Sequence, residues 1–509
     1  MDLQTKIGQR MICGFRGQEL TEEFKEAVRK YKVGNVILFK HNISDGKQLK
    51  ALCDEIREFI TAETGQPPLI GIDQEGGIVT RLPKDCVNTP GAMALAATGK
   101  EEVIEEAAYL TAKELRAFGI NMDYAPDADV NSNINNPIIG CRSFGDNPKE
   151  VATRVSASLR GFEKGKVMAT AKHFPGHGDT SMDSHVSLPM IDKSYEELKE
   201  VELVPFEAMV KEGCPAFMTT HILFPQIEKE NIPATMSRTI MTGLLREKMG
   251  YKGLITTDCM EMAAIQTYYG TGKGCAAAMA AGVDFVMISH TVSLIEEAVE
   301  EIKKQIEEGK ISLKEMDESI DRILKYKKAY CLEPEGEWGT KEAFAAERKI
   351  RRSTFSLVGG EIPKPGEKPC FVGCADYRVG NVANVEVNKT TSAGFLASKV
   401  GGEPFVTTKD PDEEEITKAV EFVKGHTSVY INTYNGHLYE GQKKIVERIG
   451  ELGIPMCVFA LANPYDLEFL PKGAAGVAAW DYSNETLEEI ANVILGEFEP
   501  TGKIPCALS

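Results

Sequence analysis

The stretch KVMATAKHF, residues 166–174, is a run of apolar and small side chains that ends in Lys172, His173 and Phe174. Its short length and nearly continuous apolar character are typical of a strand that is buried on both faces of a parallel sheet. The charged and imidazole side chains come where such a strand would end. The stretch therefore predicts a buried parallel strand that carries polar groups at its carboxyl end.

Six further runs of this kind occur before about residue 330, separated by helix-like segments such as EEVIEEAAYLTAKELRAF. They are VGNVILF (33–39), PPLIGID (67–73), GINMDYAP (119–126), PAFMTTHI (215–222), GLITTD (253–258) and VDFVMIS (283–289). Strands that alternate with helices form a parallel sheet covered by those helices. With RMICGF as a short first strand, the pattern predicts an α/β fold, a (β/α)8 TIM-like barrel. An open doubly wound sheet is the alternative.

Polar or charged residues follow several of these strands just where each strand ends. They occur in the segments GIDQEGG, NMDYAP, AKHFPGHG, TTHI and TTDCMEM. In a barrel, the carboxyl ends of the strands converge on one face, and active sites lie there. The positions of these segments therefore predict one functional site at that face.

A second, smaller domain is predicted after the barrel. The segment LEPEGEWGTKEAF (332–344) combines proline, glycine and charge, as linkers do, and strand-like runs such as TSVYINTYN follow it. We expect the barrel over residues 1–332, a linker over 333–349 and an open α/β sandwich over 350–509. Because the strand ends of the second domain carry few charged clusters, we expect it to be a structural or interface element.

Composition and charge argue against several classes of partner. The chain has 509 residues and a formal net charge of −18, which disfavours binding to nucleic acid or to an anionic membrane surface. No apolar run approaches the roughly 20 residues that a membrane span needs. The start, MDLQTKIGQRMICGF, lacks the pattern of a signal peptide, and the twelve cysteines have no disulfide-framework spacing. We therefore expect a cytoplasmic protein with reduced thiols and with neither nucleic-acid nor membrane partners.

The segment KHFPGHGDTSMDSH, residues 172–185, has three interpretations. His173 and His177 have a spacing that suits two metal ligands on one helical face, but the proline and glycines between them disfavour a helix. A glycine-rich surface loop is the second interpretation. The third is a catalytic loop in which Asp183 orients His185 and raises its proton affinity.

A catalytic loop of this kind needs a second reacting group, and Asp258 in GLITTDCMEM is the candidate. Asp258 ends a predicted strand, so its side chain should face the mouth of the barrel. A carboxylate and a general acid on either side of one bond form the arrangement used in glycoside cleavage. Capping of the next helix is the structural alternative for this aspartate.

The motif KHFPGHGDTSMDSH resembles the signature of glycoside hydrolase family 3, in its bacterial β-N-acetylglucosaminidase branch. The resemblance continues, in order, in DQEGGIVTRL (73–82), NMDYAPDADVNSNINNPIIGCRSFG (121–145), PATMS (233–237) and TTDCMEM, and GKIPCAL resembles the close of the family's second domain. It implies a two-domain enzyme that removes terminal β-linked N-acetylglucosamine from a small-molecule glycoside. It also implies a role in recycling cell-wall fragments, with no cofactor and no metal.

The same resemblance implies a role for each matching residue. Asp258 would be the nucleophile, His185 the general acid/base and Asp183 the carboxylate that orients His185. The residues that would line the sugar subsite are Asp73, Arg81, Arg142, Lys172 and His173. Such carboxylates, cations and imidazoles can together accept from and donate to sugar hydroxyls. An ordinary ion pair at the barrel rim is the alternative for the arginines.

The chain also departs from the family pattern. Ile78 stands where a basic residue is common, and CMEM follows Asp258 where relatives often carry an aspartate and a leucine, so Cys259 and Glu261 affect fine specificity. Three other functions remain as alternatives. They are a phosphorylase of the same family, a metal-dependent barrel hydrolase and a sugar-binding protein without activity.

Overall fold

The computed structural model describes residues 1–180, 188–374 and 391–508. Its first part is a closed barrel of eight strands, each parallel to its neighbours, with the first strand paired to the last. The strands are β1 (Met11–Cys13), β2 (Asn35–Leu38), β3 (Leu69–Ile72), β4 (Met122–Asp123), β5 (Met168–Phe174), β6 (Ala216–Thr219), β7 (Leu254–Cys259) and β8 (Phe285–Ile288). The predicted barrel is confirmed, and the open-sheet alternative is wrong.

Helices surround the barrel in alternation with the strands. They are α1 (Leu3–Gln9), α2 (Glu22–Tyr31), α3 (Gly46–Thr64), α4 (Ala92–Ala97), α5 (Glu101–Phe118), α6 (Pro148–Gly165), α7 (Tyr195–Glu200), α8 (Leu203–Lys211), α9 (Ala263–Gln266), α10 (Thr271–Ala281), α11 (Leu294–Glu307) and α12 (Leu313–Tyr330), with a π-helix at Thr239–Lys248 and 3-10 turns at Lys40–Asn42, Gly140–Arg142 and Ala234–Met236. Local sequence explains their starts. For example, Asn147 caps α6 by accepting from two backbone N–H groups, and Pro148 fits the first helical position. No helix in the described ranges is both long and apolar enough to cross a membrane.

Side chains fill the inside of the barrel. Met122, Tyr124, Met168 and Phe285 belong to one buried cluster made mainly of strand residues. The barrel is therefore a packed core rather than a pore, as is usual for this fold. The polar residues at the carboxyl ends of the strands consequently form the floor of an open site.

The second domain is a six-stranded sheet in the order β11-β10-β12-β13-β14-β9, parallel except for the pairing of β9 with β14. Its strands are β9 (Ser356–Gly359), β10 (Pro369–Cys374), β11 (Glu403–Thr407), β12 (Ser428–Thr433), β13 (Met456–Ala460) and β14 (Ala475–Ala478), and its helices are α13 (Lys341–Thr354), α14 (Ser392–Val400), α15 (Glu413–Val423), α16 (Glu440–Gly450) and α17 (Asn484–Ile494), with 3-10 turns at Gly436–Leu438 and Pro464–Leu467. The predicted class of this domain is confirmed. Residues 332–340 are irregular, and α13 begins inside the segment that the sequence predicts as linker. The exact domain boundaries stay predictions.

Candidate active site

One cavity of about 710 Å³ opens at the carboxyl ends of the barrel strands. Six of the eight predicted site residues line it: Asp73, Arg81, Arg142, Lys172, His173 and Asp258. They come from distant parts of the sequence and meet only because the strands converge on one face. The other two, Asp183 and His185, lie outside the described residues.

A buried ion network forms one wall of this cavity. Lys172 Nζ lies 2.8 Å from Asp73 Oδ1 and 2.6 Å from Glu75 Oε1. Arg142 donates to both oxygens of Glu75, from Nε at 2.9 Å and from Nη2 at 2.8 Å. The side chains of Lys172 and Arg142 are only 2% and 4% exposed, so these contacts are shielded from water. Glu75 therefore joins the two cations that the sequence assigns to the sugar subsite.

The charges in this network stabilise one another. Burial alone would lower the pKa of Lys172, but the carboxylates of Asp73 and Glu75 outweigh burial and raise it. Burial alone would raise the pKa of Asp73, but the charges of Lys172 and Arg81 lower it. Likewise, Arg142 and Lys172 outweigh burial at Glu75 and lower the pKa of that carboxyl. All four network groups are consequently charged at neutral pH, and the three that line the cavity, Asp73, Lys172 and Arg142, can accept from or donate to the hydroxyls of a ligand.

Asp129 positions the histidine at the end of β5. Its Oδ2 lies 2.7 Å from His173 Nδ1, and its Oδ1 accepts from the backbone N–H of His177 at 2.7 Å. Burial, followed by the charges of Arg142 and Lys172, lowers the pKa of His173 to about 3. His173 is therefore a neutral imidazole at physiological pH. Burial also raises the pKa of Asp129, and the two side chains share one hydrogen bond between Nδ1 and Oδ2.

The donor atoms near His173 do not favour a metal ion. Within the described residues, one group of three donors, from Asp127, Asp129 and His173, has its atoms within 4.8 Å of one another. However, the Arg142 guanidinium lies 3.6 Å from Asp127, and Asp129 is already bonded to His173. A dication there would be repelled by Arg142 and would have to break that bond. His177, the second ligand in the sequence-based metal hypothesis, instead contacts Thr180 Oγ1 through Nδ1 at 2.9 Å.

Asp258 lies on β7 at the other side of the cavity. Its Oδ1 accepts from the backbone N–H of Cys259 at 2.6 Å. His221, from the strand-end segment TTHI, contacts the carbonyl oxygen of Cys259 through Nε2 at 3.0 Å and so supports the end of β7. Glu261 lines the same cavity and accepts from the backbone N–H of His290 at 2.6 Å. The departures at Cys259 and Glu261 therefore lie in the wall beside Asp258, where they can affect specificity.

Sequence reasoning missed two carboxylates of the site, Glu75 and Asp129. Glu75 follows Asp73 by two residues in DQEGG, so an extended chain would point both side chains to the same side. Asp129 follows Asp127 in the same way within APDADV. This alternation was a usable signal for further buried carboxylates next to the cavity wall, but the partner of each carboxylate could not be identified from spacing.

Comparisons with known proteins agree with this geometry. A family model described as the glycosyl hydrolase family 3 N-terminal domain matches residues 2–326. β-Hexosaminidase A of Pseudoalteromonas piscicida is 34% identical over 330 residues, which cover 60% of this chain and 55% of that protein. A β-hexosaminidase of Stenotrophomonas maltophilia is 34% identical over 299 residues, which cover 58% of this chain and 87% of the relative. The chain thus matches little more than half the length of the Pseudoalteromonas protein.

Solved structures extend the similarity to the second domain. A family 3 β-N-acetylglucosaminidase from a Paenibacillus species matches with a TM-score of 0.92 at 34% identity. The match covers 100% of this chain and 99% of that one. Both domains, and their arrangement, are therefore shared with that protein.

Proposed function

The chain belongs to glycosyl hydrolase family 3, and we propose that it is a retaining, exo-acting β-N-acetylglucosaminidase. The observation that carries the proposal is that Asp258 lines one cavity together with Asp73, Arg81, Lys172 and His173, the groups that we assign to the sugar subsite. Its volume of about 710 Å³ lies in the range of small-molecule sites, roughly 300–1,000 Å³. The names of the relatives support the same activity.

The ion network supports binding of a terminal sugar. Asp73 can accept from two neighbouring hydroxyls, and Lys172 and Arg142 can donate to others without competing as acceptors. Over the whole residue, Lys172 is 1% exposed and Arg142 is 5% exposed. This wall therefore closes the cavity behind the sugar. A glycan chain cannot continue past a closed wall. The proposal is therefore removal of the last residue rather than cleavage within a chain.

The proposed chemistry uses two steps. Asp258 attacks the anomeric carbon and forms a glycosyl-enzyme, while His185, oriented by Asp183, protonates the leaving oxygen. Neutral His185 then takes a proton from a water molecule while the water oxygen attacks the anomeric carbon. The bond from that carbon to Asp258 breaks, which restores the carboxylate and releases the sugar with its configuration retained. General acid/base help of this kind contributes roughly 10²–10⁴-fold. The roles of His185 and Asp183 rest on the family motif, because both residues lie outside the described ranges.

The biological setting belongs to the same proposal. We assign the enzyme to the cytoplasm, acting on cell-wall fragments that carry a terminal N-acetylglucosamine. The net charge of −18 suits a small neutral glycoside better than a polyanion. The chemistry needs no cofactor, since the nucleophile, the acid/base and the sugar ligands are all side chains.

Phosphorolysis is the second candidate, and the charges in the cavity argue against it. An incoming phosphate would need cations with unbalanced charge near the anomeric carbon. Lys172 and Arg142 are instead paired with Asp73 and Glu75. The carboxylates thus neutralise the positive potential that would attract phosphate. Water is therefore the acceptor that we favour.

The test is a screen of aryl β-glycosides with and without the 2-acetamido group, followed by NMR to determine the anomer first released. We expect turnover of the N-acetylglucosaminide, with the β-anomer as first product and free sugar even in millimolar phosphate. Release of the α-anomer would refute retention. Sugar 1-phosphate as the main product would refute hydrolysis. Activity only on glycosides that lack the acetamido group would refute the substrate.

A further inference from the structure

The second domain packs directly on two loops that carry sugar-binding residues of the barrel. Met93, Ala94 and Cys141 belong to the same buried apolar cluster as the second domain, and Ile78 packs against that cluster. Ile78 is the position where the family commonly carries a basic residue. Ile78 is partly buried, and its apolar side chain suits the contact with that cluster.

A chain of hydrogen bonds links the second domain to the loop after β3. Arg351 in α13 donates from Nη2 to the backbone carbonyl of Asn88 at 2.8 Å. Gln74 donates to Asn88 Oδ1 at 2.9 Å, and Gln74 Oε1 accepts from the backbone N–H of Arg81 at 2.7 Å. Three hydrogen bonds thus connect Arg351 to Arg81 in the cavity wall.

Arg351 is itself held rigidly. Its side chain is 3% exposed, and it donates to Glu347 at 2.6 Å and to Asp481 at 2.9 Å. It also donates to Thr486 Oγ1 at 2.6 Å. A buried guanidinium with these partners has one orientation, because turning it would leave charged groups unpaired. Its bond to Asn88 therefore fixes the position of the loop relative to the second domain.

The loop after β4 has an independent attachment. Asn131 donates from Nδ2 to the hydroxyl of Tyr465 at 2.7 Å, and Asn131 follows Asp129, the partner of His173, by two residues. Farther along the same loop, a Cβ on Gly140 would lie 2.5 Å from Asn463 Oδ1. Gly140, at φ +45°, begins the 3-10 turn Gly140–Arg142, so only glycine lets this turn approach the second domain so closely.

A strained tryptophan lies behind the ion network. Trp480 has φ +75°, which is unfavourable for a bulky side chain, and it donates its indole N–H to the carbonyl of Thr354 at 2.8 Å. Its side chain lines a small internal cavity together with Glu75 and Arg142. Strain of this kind persists only where the surroundings hold it, and it is concentrated near functional sites. The second domain thus presents a fixed wall behind the Glu75–Arg142 pair.

We propose that the second domain positions the sugar-binding loops of the barrel, with Arg351 and Tyr465 as positioning residues. Arg351 fixes the position of Arg81 through Asn88 and Gln74. Tyr465 fixes the position of the loop that carries Asp129 and Arg142. Among the described residues, those that line the cavity all belong to the barrel, so we assign the second domain no part in the bond-breaking step. By holding these loops in place, the second domain lowers the entropic cost of binding. The second domain should therefore affect mainly the affinity for the terminal sugar. This inference rests on the proposed function.

The experiment compares full-length wild type with Arg351→Lys, Tyr465→Phe and the control Arg352→Lys, by steady-state kinetics on an aryl β-N-acetylglucosaminide. Arg352 is the next residue in α13, and it forms ion pairs with Glu489 and Glu497, inside the second domain. We expect KM to rise about fivefold or more in each of the first two variants, the effect of one lost hydrogen bond. We expect kcat to stay within about twofold of wild type. Arg352→Lys should resemble wild type in both.

Calorimetric titration with N-acetylglucosamine gives a second readout that does not require turnover. Weaker binding by the two variants, with denaturation curves showing folded protein, supports positioning. An unchanged KM and affinity in folded variants would overturn the inference, as would a loss of kcat at constant KM. Loss of affinity in Arg352→Lys as well would show a general loosening and would also overturn it. Absence of turnover by wild type would refute the proposed function instead, so the two failures are distinguishable.

Discussion

Glu75→Gln removes the charge that joins Lys172 to Arg142 while keeping the shape of the side chain. Glu75 accepts three charge-assisted hydrogen bonds, two from Arg142 and one from Lys172. It is 6% exposed, so water cannot replace these bonds. Removing one partner of a buried ion pair costs about 3–5 kcal/mol when a charge is left unpaired. Lys172 keeps Asp73 as a partner and Arg142 keeps Asp127 at 3.6 Å, so we expect a loss at the lower end, about 3 kcal/mol of free energy of unfolding, or roughly 6–12 °C in thermal midpoint at about 2–4 °C per kcal/mol.

The same substitution should weaken sugar binding. Lys172 and Arg142 lose the anchor that they share, so both can move from the positions in which they donate to hydroxyls. A rise in KM of about tenfold corresponds to roughly 1.4 kcal/mol of lost binding. The assays are thermal and urea unfolding together with kinetics on the aryl N-acetylglucosaminide.

Glu150→Gln is the matched control for this prediction. Glu150 pairs with Arg154 on the surface at 2.6 Å, and its side chain is 53% exposed. An exposed pair of this kind contributes about 0–1 kcal/mol, so this variant should behave like wild type. If Glu75→Gln matched Glu150→Gln in both stability and KM, the buried network would have no role in holding the site, and the reasoning would be refuted.

Three further predictions concern single positions. Lys172→Gln removes a positive charge that counters the effect of burial on Asp73, so the pKa of that carboxyl should rise. As the pH is lowered, the variant should therefore lose activity at a higher pH than wild type does. An unshifted acid limb in the pH profile of kcat/KM would contradict this. His185→Ala should lose most activity on substrates with poor leaving groups and much less on activated aryl substrates, whereas equal losses would show that His185 is not the proton donor. Gly178→Ala places a Cβ 1.7 Å from the backbone oxygen of Val130 and should displace the chain at that point, with a loss of stability and activity. Gly425→Ala, with open space around its Cβ, should be neutral in both, and equal behaviour of the two variants would contradict the contact at Gly178.

The fold could be predicted because its signals are local. The run at 166–174 and its six counterparts are apolar enough to be recognised as buried strands, and their alternation with helices leaves few topologies. Strand lengths were less predictable. The run 119–126 contributes only Met122–Asp123 as regular strand, and beyond it the pairing with β5 continues irregularly, with Thr170 donating to the carbonyl of Ala125 and Ala128 donating to that of Lys172. Hydrophobic pattern does not show where a ladder ends.

The site was predictable where a side chain lies at the carboxyl end of a strand or directly after it. Asp73, Lys172, His173 and Asp258 fall in this class, since the barrel brings all strand ends together. Ion-pair partners were not predictable, because Arg142 and Glu75 lie 67 residues apart and only tertiary structure joins them. The contacts of Ile78 with the second domain were hidden for the same reason. The sequence shows which side chains can act in the site, and the fold shows which residues those side chains contact.

Trapping of the covalent intermediate tests the central claim most directly. The protein is incubated with a 2-fluoro sugar that has a good leaving group, and the labelled residue is located by mass spectrometry of peptides. We expect one label per chain, on Asp258, and no label in Asp258→Ala, which should also lack turnover. A label on any other carboxylate, or steady turnover by Asp258→Ala, would contradict the account.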